Sequence, residues 1–301
     1  MKYLAVKFFL VTSLISLFPL SAKALTFSLS ANEDIVGHIQ TAHVQPGESL
    51  GDIGRTHNMG VYDMIEANPH LDPWTPMAGA EVIIPAQFVL PSGPREGIVL
   101  NLAEMRLYYY HADAPLVTTF PIGIGKKGWT TPLGQTVIVK KQVDPIWYPP
   151  VSIREEHAER GEHLPLVVPA GPDNPLGQYV LRSGFSGILL HANNRIGGAG
   201  VRSSHGCIHL LPEDIKNLYD MVSVGTKIRI IHEPFKLGWK NNSLYLEAHQ
   251  PLSESKYQET ANLSYLKDLI SAVIGRNYHA VNWASMQEVV DQSAGYPVKI
   301  D

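Results

Sequence analysis

The chain has 301 residues, 45% of them hydrophobic and 17% charged, with 24 Lys and Arg against 28 Asp and Glu for a formal net charge of −4. That length suits one or two domains, and the composition is globular, able to bury a sizeable core without disulfide staples. A net acidic surface argues against nucleic acid as the main partner.

The amino terminus stands apart. Lys2 and Lys7 precede an apolar run from Phe8 to Leu20, which ends in Ala22-Lys23-Ala24. Charge, length and the A-x-A pattern predict a signal peptide over residues 1–24. The run is short for a bilayer-spanning helix, so no stable membrane span is expected after cleavage. Cleavage would remove three of the 24 basic residues and no acid, leaving 21 basic against 28 acidic side chains, a net charge of about −7. The lone cysteine, Cys207, has no intrachain partner for a disulfide. A leftover thiol in an exported protein is either a buried apolar residue or a reactive group.

Residues 25–42 are polar without a strong period and read as a leader or short strand. His43-Val44-Gln45 is a predicted strand, followed by a turn in which Ser49 caps a helix carrying Leu50, Ile53 and Gly54. Met59-Gly60 interrupts. Val61, Met64, Ile65 and Ala67 form a second short helix, which Asn68-Pro69 ends. Glu81–Ile84 is a second strand. This strand–helix–helix–strand unit, residues 41–86, resembles a LysM domain in HVQPGESLGDIG, EANPHLDPW and VIIP. The resemblance implies binding of N-acetylglucosamine-containing glycans through Gly47, Glu48, Ser49, Leu50, Asn68, Pro69 and His70. The alternative for each is a plain turn or cap.

Residues 86–96 read as a proline-containing linker. Strands are predicted at Gly97–Asn101, Met105–Tyr110, Val117–Ile124, Gln135–Gln142, Tyr179–Arg182 and Gly187–His191, with a tight turn over Trp129–Gly134. Tyr108 to Tyr110 read as alternating core and surface positions. Trp147-Tyr148-Pro149-Pro150 reads as a lid or as packing. A helix opens at Pro212 with Glu213 and Asp214 in its first turn, and Thr226–Ile231 returns as a strand. Beyond Pro234 a strand at Leu244–Glu247 and helices at Ala261–Ile274 and Met286–Val290 read as an extension, residues 233–301, packed on residues 97–232.

The chemistry lies in the run from Ile188 to Leu210. A nucleophilic cysteine needs a base or cation to raise its thiolate fraction. His205 precedes Cys207 by two residues, which on an extended chain share a face. His191 lies further upstream, across Gly197-Gly198-Ala199-Gly200. His205, Cys207 and His209 alternate as three zinc ligands on a strand would, although no second cluster with metal-ligand spacing accompanies them.

His191 followed by Ser204-His205-Gly206-Cys207 resembles the signature of the L,D-transpeptidase, YkuD-type, catalytic domain. IVLNLAEMRLYYY and FPIGIGKKGWTTPLG upstream support the likeness. KLGWKNNSLYLEAHQPL resembles the C-terminal part of the Gram-negative enzymes that carry a LysM module. The resemblance implies a mostly-β catalytic domain, a β-sandwich of mixed sheets with few helices, beside the small α+β LysM domain. It implies Cys207 as nucleophile and His191 as general base, with His205 and Gly206 shaping an oxyanion site. Ser204 and His209 are expected on the substrate side, Arg195 or Arg202 as a cation that compensates for a missing arginine, and Trp129 as cleft lining or part of a rigid hairpin; no cofactor or metal is expected. The implied activity is periplasmic acyl transfer on peptidoglycan tetrapeptide stems, remodelling the cell wall. D-Ala leaves and the acyl group passes to a diaminopimelate amine or to a lysine of an outer-membrane lipoprotein. The alternatives are a non-catalytic peptidoglycan-binding protein and an L,D-carboxypeptidase using water. One departure stands out. The relatives carry arginine two residues after the cysteine, where this chain has His209, which offers no fixed bidentate fork.

Overall fold

The computed structural model describes residues 24–192, 199–254, 257, 260, 262–274 and 281–301. Residues 1–23 of the expected signal peptide, and Arg195, lie outside the described residues. No helix among the described residues is long and apolar enough to cross a membrane.

Three short strands open the fold: β1 (Leu25–Ser28), β2 (Ile35–Gly37) and β3 (Gln40–His43). Helices α1 (Leu50–Thr56) and α2 (Val61–Ala67) follow, and β4 (Glu81–Ile84) closes antiparallel on β3. Ser49 caps α1 by accepting from the Asp52 amide at 3.1 Å while Asp52 accepts from the Ser49 amide at 3.0 Å, a reciprocal capping box. Leu50, Ile53, Met59, Met64, Val82 and Ile84 fill the small core that this arrangement encloses.

The expected linker needs correction. Within it, β5 (Gln87–Val89) pairs antiparallel with β2. Phe88 and Val89 are buried, and their apolar surface is what draws this stretch into a sheet. The presumed leader also contributes, since β1 lines the edge of the main sheet against β8.

Next come β6 (Gly97–Asn101), β7 (Arg106–Tyr110), β8 (Leu116–Pro121), β9 (Ile124–Gly125), β10 (Gly134–Val143) and helix α3 (Val151–Glu159). They are followed by β11 (Tyr179–Ser183), β12 (Leu189–Ala192), β13 (Arg202–Ser204), β14 (Ile208–Leu210), α4 (Pro212–Met221) and β15 (Lys227–Ile231). Nine strands form one curled sheet in the order β1-β8-β7-β6-β15-β10-β11-β12-β14. It is mixed, with β6 parallel to β15 and β12 parallel to β14, and the remaining neighbours antiparallel. The mostly-β expectation holds.

Tyr108, Tyr109 and Tyr110 do not alternate between core and surface; all three are buried. Alternation instead sends Leu107 and Tyr109 into the main core and Tyr108 and Tyr110 into the core shared with the LysM-like unit. That half of the sheet is therefore covered on both faces.

The carboxyl-terminal segment forms β16 (Phe235–Lys240), β17 (Ser243–Ala248), α5 (Leu263–Ile274), α6 (Trp283–Gln292) and β18 (Val298–Lys299). It gathers a core of its own from Phe235, Leu244, Leu246, Leu266, Ile270, Met286, Val289 and Ile300. β16 escapes sequence reading because Lys236, at an inward position, is buried rather than exposed.

Candidate active site

The site is built on one face of β11, β12 and β14. Leu181, Leu190 and Ile208 point into the main core, so their neighbours Arg182, His191 and His209 point the other way. Register then sorts the outward side chains into rows. Val180 pairs with His191 and His191 with His209, while Arg182 pairs with Leu189. Cys207 sits one step before β14, alongside Leu189, whose backbone amide favours the thiolate. A one-residue slip would bury both histidines in the apolar core, so the hydrophobic pattern of these strands is what aims them.

His191 is almost fully buried, and its Nδ1 lies 2.7 Å from the Ala192 carbonyl oxygen. A carbonyl can only accept, so Nδ1 carries the proton and Nε2 is left with its lone pair. Burial drives the imidazole pKa down to about 4, against the pull of the Ala192 and Pro175 carbonyls, so the ring is neutral at pH 7. Burial pushes the Cys207 thiol up, with the Leu189 amide and Arg182 pulling against it. The resting pair is thus neutral thiol and neutral imidazole. His209 packs edge-on against His191 with ring centroids 4.7 Å apart, and burial plus the neighbouring His191 lowers its pKa to about 3. The His209 Nδ1 is buried without a hydrogen-bond partner among the described residues.

The turn before Cys207 is held from both sides. Ser204 Oγ donates to the Cys207 carbonyl at 2.6 Å and accepts from the Gly206 amide at 3.1 Å. Gly206 adopts φ +103°, a region where a side chain is strained, and its carbonyl accepts from Thr131 Oγ1 at 3.0 Å. Ser204 therefore shapes the turn, and its buried hydroxyl is occupied there. His205 lies edge-on to Trp129 at 4.8 Å, and its Nε2 is 2.7 Å from Glu156 Oε2 on α3. Glu156 also binds Lys126 at 2.5 Å and Arg160 at 2.9 Å, and these contacts, Lys126 first, hold its carboxyl down to about 2. Sequence reading missed Glu156, because only the fold brings α3 to His205. Tyr148, in the segment read as a lid, is exposed, while Trp147 pairs with Val168 across a β-bridge.

Other expected residues fare differently. Arg202 is tied to Glu254 by its guanidinium and to the Gly125 carbonyl, so its charge is engaged. The three residues of the zinc reading diverge, His205 towards Glu156 and His209 onto His191. Among the described residues, only Glu104, Glu247 and His249 bring three ligand atoms within 4.8 Å of one another. There the Lys236 ammonium already binds Glu104 at 2.7 Å and Glu247 at 2.8 Å.

In the LysM-like unit, Leu50 is core. Asn68 is spent on pinning β4, donating to the Met64 and Ile83 carbonyls and accepting from the Ile83 amide. Ser49 caps α1. Gly47, Pro69 and His70 are exposed, Glu48 partly so. The two loops meet where the Leu50 amide donates to the Pro73 carbonyl at 3.0 Å. Trp74 and Met77, 70% and 77% exposed, stand on the second loop and were not among the expected residues.

This unit abuts the site. Glycine Cα atoms face each other at Gly60 and Gly200, and a Cβ on Gly200 would lie 2.4 Å from the Gly60 Cα. Gly200 belongs to the connection between His191 and Cys207. Nearby, buried Arg106 pairs with Asp63 at 2.5 Å, and Asn58 Nδ2 lies 3.2 Å from both carboxylate oxygens of buried Asp214.

Cys207, in a turn held by hydrogen bonds, shares a sheet face with His191, whose Nδ1 is held by the Ala192 carbonyl, an arrangement suited to cysteine acyl transfer. Comparison with known proteins agrees. Residues 95–230 match the L,D-transpeptidase catalytic domain, 236–300 the L,D-transpeptidase C-terminal domain and 42–85 the LysM domain. The chain is 42% identical over 289 residues to "Probable L,D-transpeptidase YcfS" of Escherichia coli K12, covering 93% of this chain and 90% of the relative. It is 39% identical to "Probable L,D-transpeptidase ErfK/SrfK" of Salmonella typhimurium, covering 86% and 83%. It is 38% identical to "Probable L,D-transpeptidase YbiS" of E. coli K12, covering 93% and 94%. The chain belongs to the L,D-transpeptidase family. It is a transpeptidase whose domains take peptidoglycan as binding partner and substrate.

Proposed function

We propose that Cys207 attacks the amide between the L-centre of diaminopimelate and the terminal D-Ala of a tetrapeptide stem, with His191 as general base. The Nδ1 hydrogen bond of His191 to the Ala192 carbonyl carries this reading, because it leaves Nε2 as an acceptor on the sheet face shared with Cys207. As Sγ bonds to the carbonyl carbon, its proton passes to Nε2 and charge develops on the carbonyl oxygen. Collapse breaks the C–N bond, and the leaving amine of D-Ala takes the proton from His191. The resulting thioester is attacked by an acceptor amine, which forms the new amide and returns the thiol. His205, held between Trp129 and Glu156, and Gly206 with its positive φ shape the turn from which the thiol projects.

The acceptor is the amine of a second diaminopimelate or of a lipoprotein lysine. Residues 1–24 direct export, so the enzyme works in the periplasm, and the 41–86 module holds glycan through the loops at Gly47–Leu50 and Asn68–His70. The catalytic domain spans residues 97–232, with residues 233–301 packed on it. Release of D-Ala from tetrapeptide muropeptides, followed by chromatography, tests the chemistry. Cys207→Ala is expected to abolish it, and undiminished release by that variant would refute the nucleophile assignment. Offering muropeptides together with a lysine-terminated lipoprotein peptide, and weighing the adducts, separates the acceptors.

A further inference from the structure

The position of the arginine expected beside the nucleophile holds His209; Arg202 is paired with Glu254, and Arg195 lies outside the described residues. The sheet supplies a different cation. Arg182 pairs with Leu189 in β12, the residue alongside Cys207, and its side chain leaves the sheet on the same face as His191 and His209. It is half-buried. Its Nε donates to Gln142 Oε1, which fixes the plane of the guanidinium. The two terminal nitrogens have no partner among the described residues. Directly across the strand pair stands Lys140, exposed and without an acidic partner among the described residues. Two cations thus share that face, Arg182 two strands and Lys140 three strands from Cys207, with no acidic partner among the described residues. Burial raises the Cys207 thiol, and the Arg182 charge across the strands pulls against it.

An unpaired, half-buried guanidinium with two parallel N–H donors matches a carboxylate. The acyl donor of a transpeptidase acting on stem peptides brings carboxylates within a residue of the scissile bond. We propose that Arg182, backed by Lys140, forms the subsite that takes a carboxylate of the acyl-donor peptide beside Cys207. The proposal rests on the reading of Cys207 as nucleophile. It supplies, two strands across the same face, the cation that the family resemblance places at the position of His209. His209, neutral and edge-on to His191, is free of that duty. The carboxylate is that of the terminal D-Ala or that of the D-centre of diaminopimelate.

Three synthetic tetrapeptide stems separate these: the native acid, the terminal carboxamide, and the diaminopimelate carboxamide. D-Ala or D-alaninamide release is measured for the full chain, Arg182→Gln, Arg182→Lys and Lys140→Gln. The wild type is expected to prefer the native stem over one carboxamide by about ten- to a hundred-fold in kcat/KM, the range for a hydrogen-bonded charge pair. In Arg182→Gln that preference collapses towards unity, Arg182→Lys restores part of it, and Lys140→Gln lowers it a few-fold. The carboxamide that erases the preference names the carboxylate. The ratio between stems is the readout, because an effect of Arg182 on thiol acidity alone would slow all three equally. Equal slowing, or a wild type indifferent to both carboxamides, overturns the subsite. Should Arg182→Gln fail to fold, an unchanged preference in Lys140→Gln and Arg182→Lys together overturns it. Cys207→Ala, run alongside, reports separately on the nucleophile.

Discussion

His191 owes its protonation state to burial and its tautomer to the Ala192 carbonyl. Both have kinetic consequences. A base must be neutral to accept a proton, and the His191 pKa is about 4, so kcat/KM is expected to hold down to mildly acid pH and fall only as pH drops through about 4. The thiol is displaced the other way, so alkylation of Cys207 by iodoacetamide should keep rising through pH 9 instead of reaching a plateau near neutrality. A plateau near pH 6 would indicate a resting thiolate–imidazolium pair. At this scale the local motif was legible: Ser204, His205, Gly206 and Cys207 announce a held turn and a thiol within five positions. Arg182 and Glu156 were not, because one reaches the site through strand register and the other through a helix 49 residues from His205.

Helices and strands explain how the LysM module meets the catalytic sheet. Asp214, in the first turn of α4, is buried against Asn58, and burial with the nearby Glu213 charge raises its pKa to about 7. A carboxyl raised in the folded state holds a proton that the unfolded chain releases, so folding stability falls as pH rises from about 4 to about 7. Asp214→Asn removes that slope while keeping an oxygen to accept from Asn58 Nδ2. The variant is expected to gain roughly 2–4 kcal/mol over the parent at pH 8 and little at pH 4, checked by urea melts at both. A gain independent of pH would locate the effect elsewhere. Elements with regular apolar spacing, α1, α2 and the central strands, were readable from the chain. β2, β5 and β16 were not, being three residues long or interrupted by a buried lysine, so only their partners reveal them.

Across the whole molecule, one buried ionic cluster ties three segments together. Glu104 comes from the catalytic sheet region, while Lys236, Glu247 and His249 come from the carboxyl-terminal segment, and Glu66 of α2 reaches His249 at 3.5 Å. Tyr108 donates to Glu104 at 2.8 Å, and the Val89 amide donates to Glu247. His249 is held charged, its pKa raised to about 10 against the penalty of burial by Glu247 and Glu66. Lys236→Ala would strand two buried carboxylates and is expected to cost about 3–5 kcal/mol, measured by denaturant unfolding. A loss below about 1 kcal/mol would show that the cluster rearranges. No sequence pattern announced it, since its members lie far apart along the chain and each reads alone as a surface charge.

The cluster and the meeting of Gly60 with Gly200 leave no slack joint between the sugar-binding module and the thiol. β5 even draws the expected tether into a sheet. The LysM domain and the catalytic sheet thus meet through buried contacts of their own. Under the proposed function, such packing would hold glycan and thiol at a set separation, so the enzyme would select stems by their reach and direction.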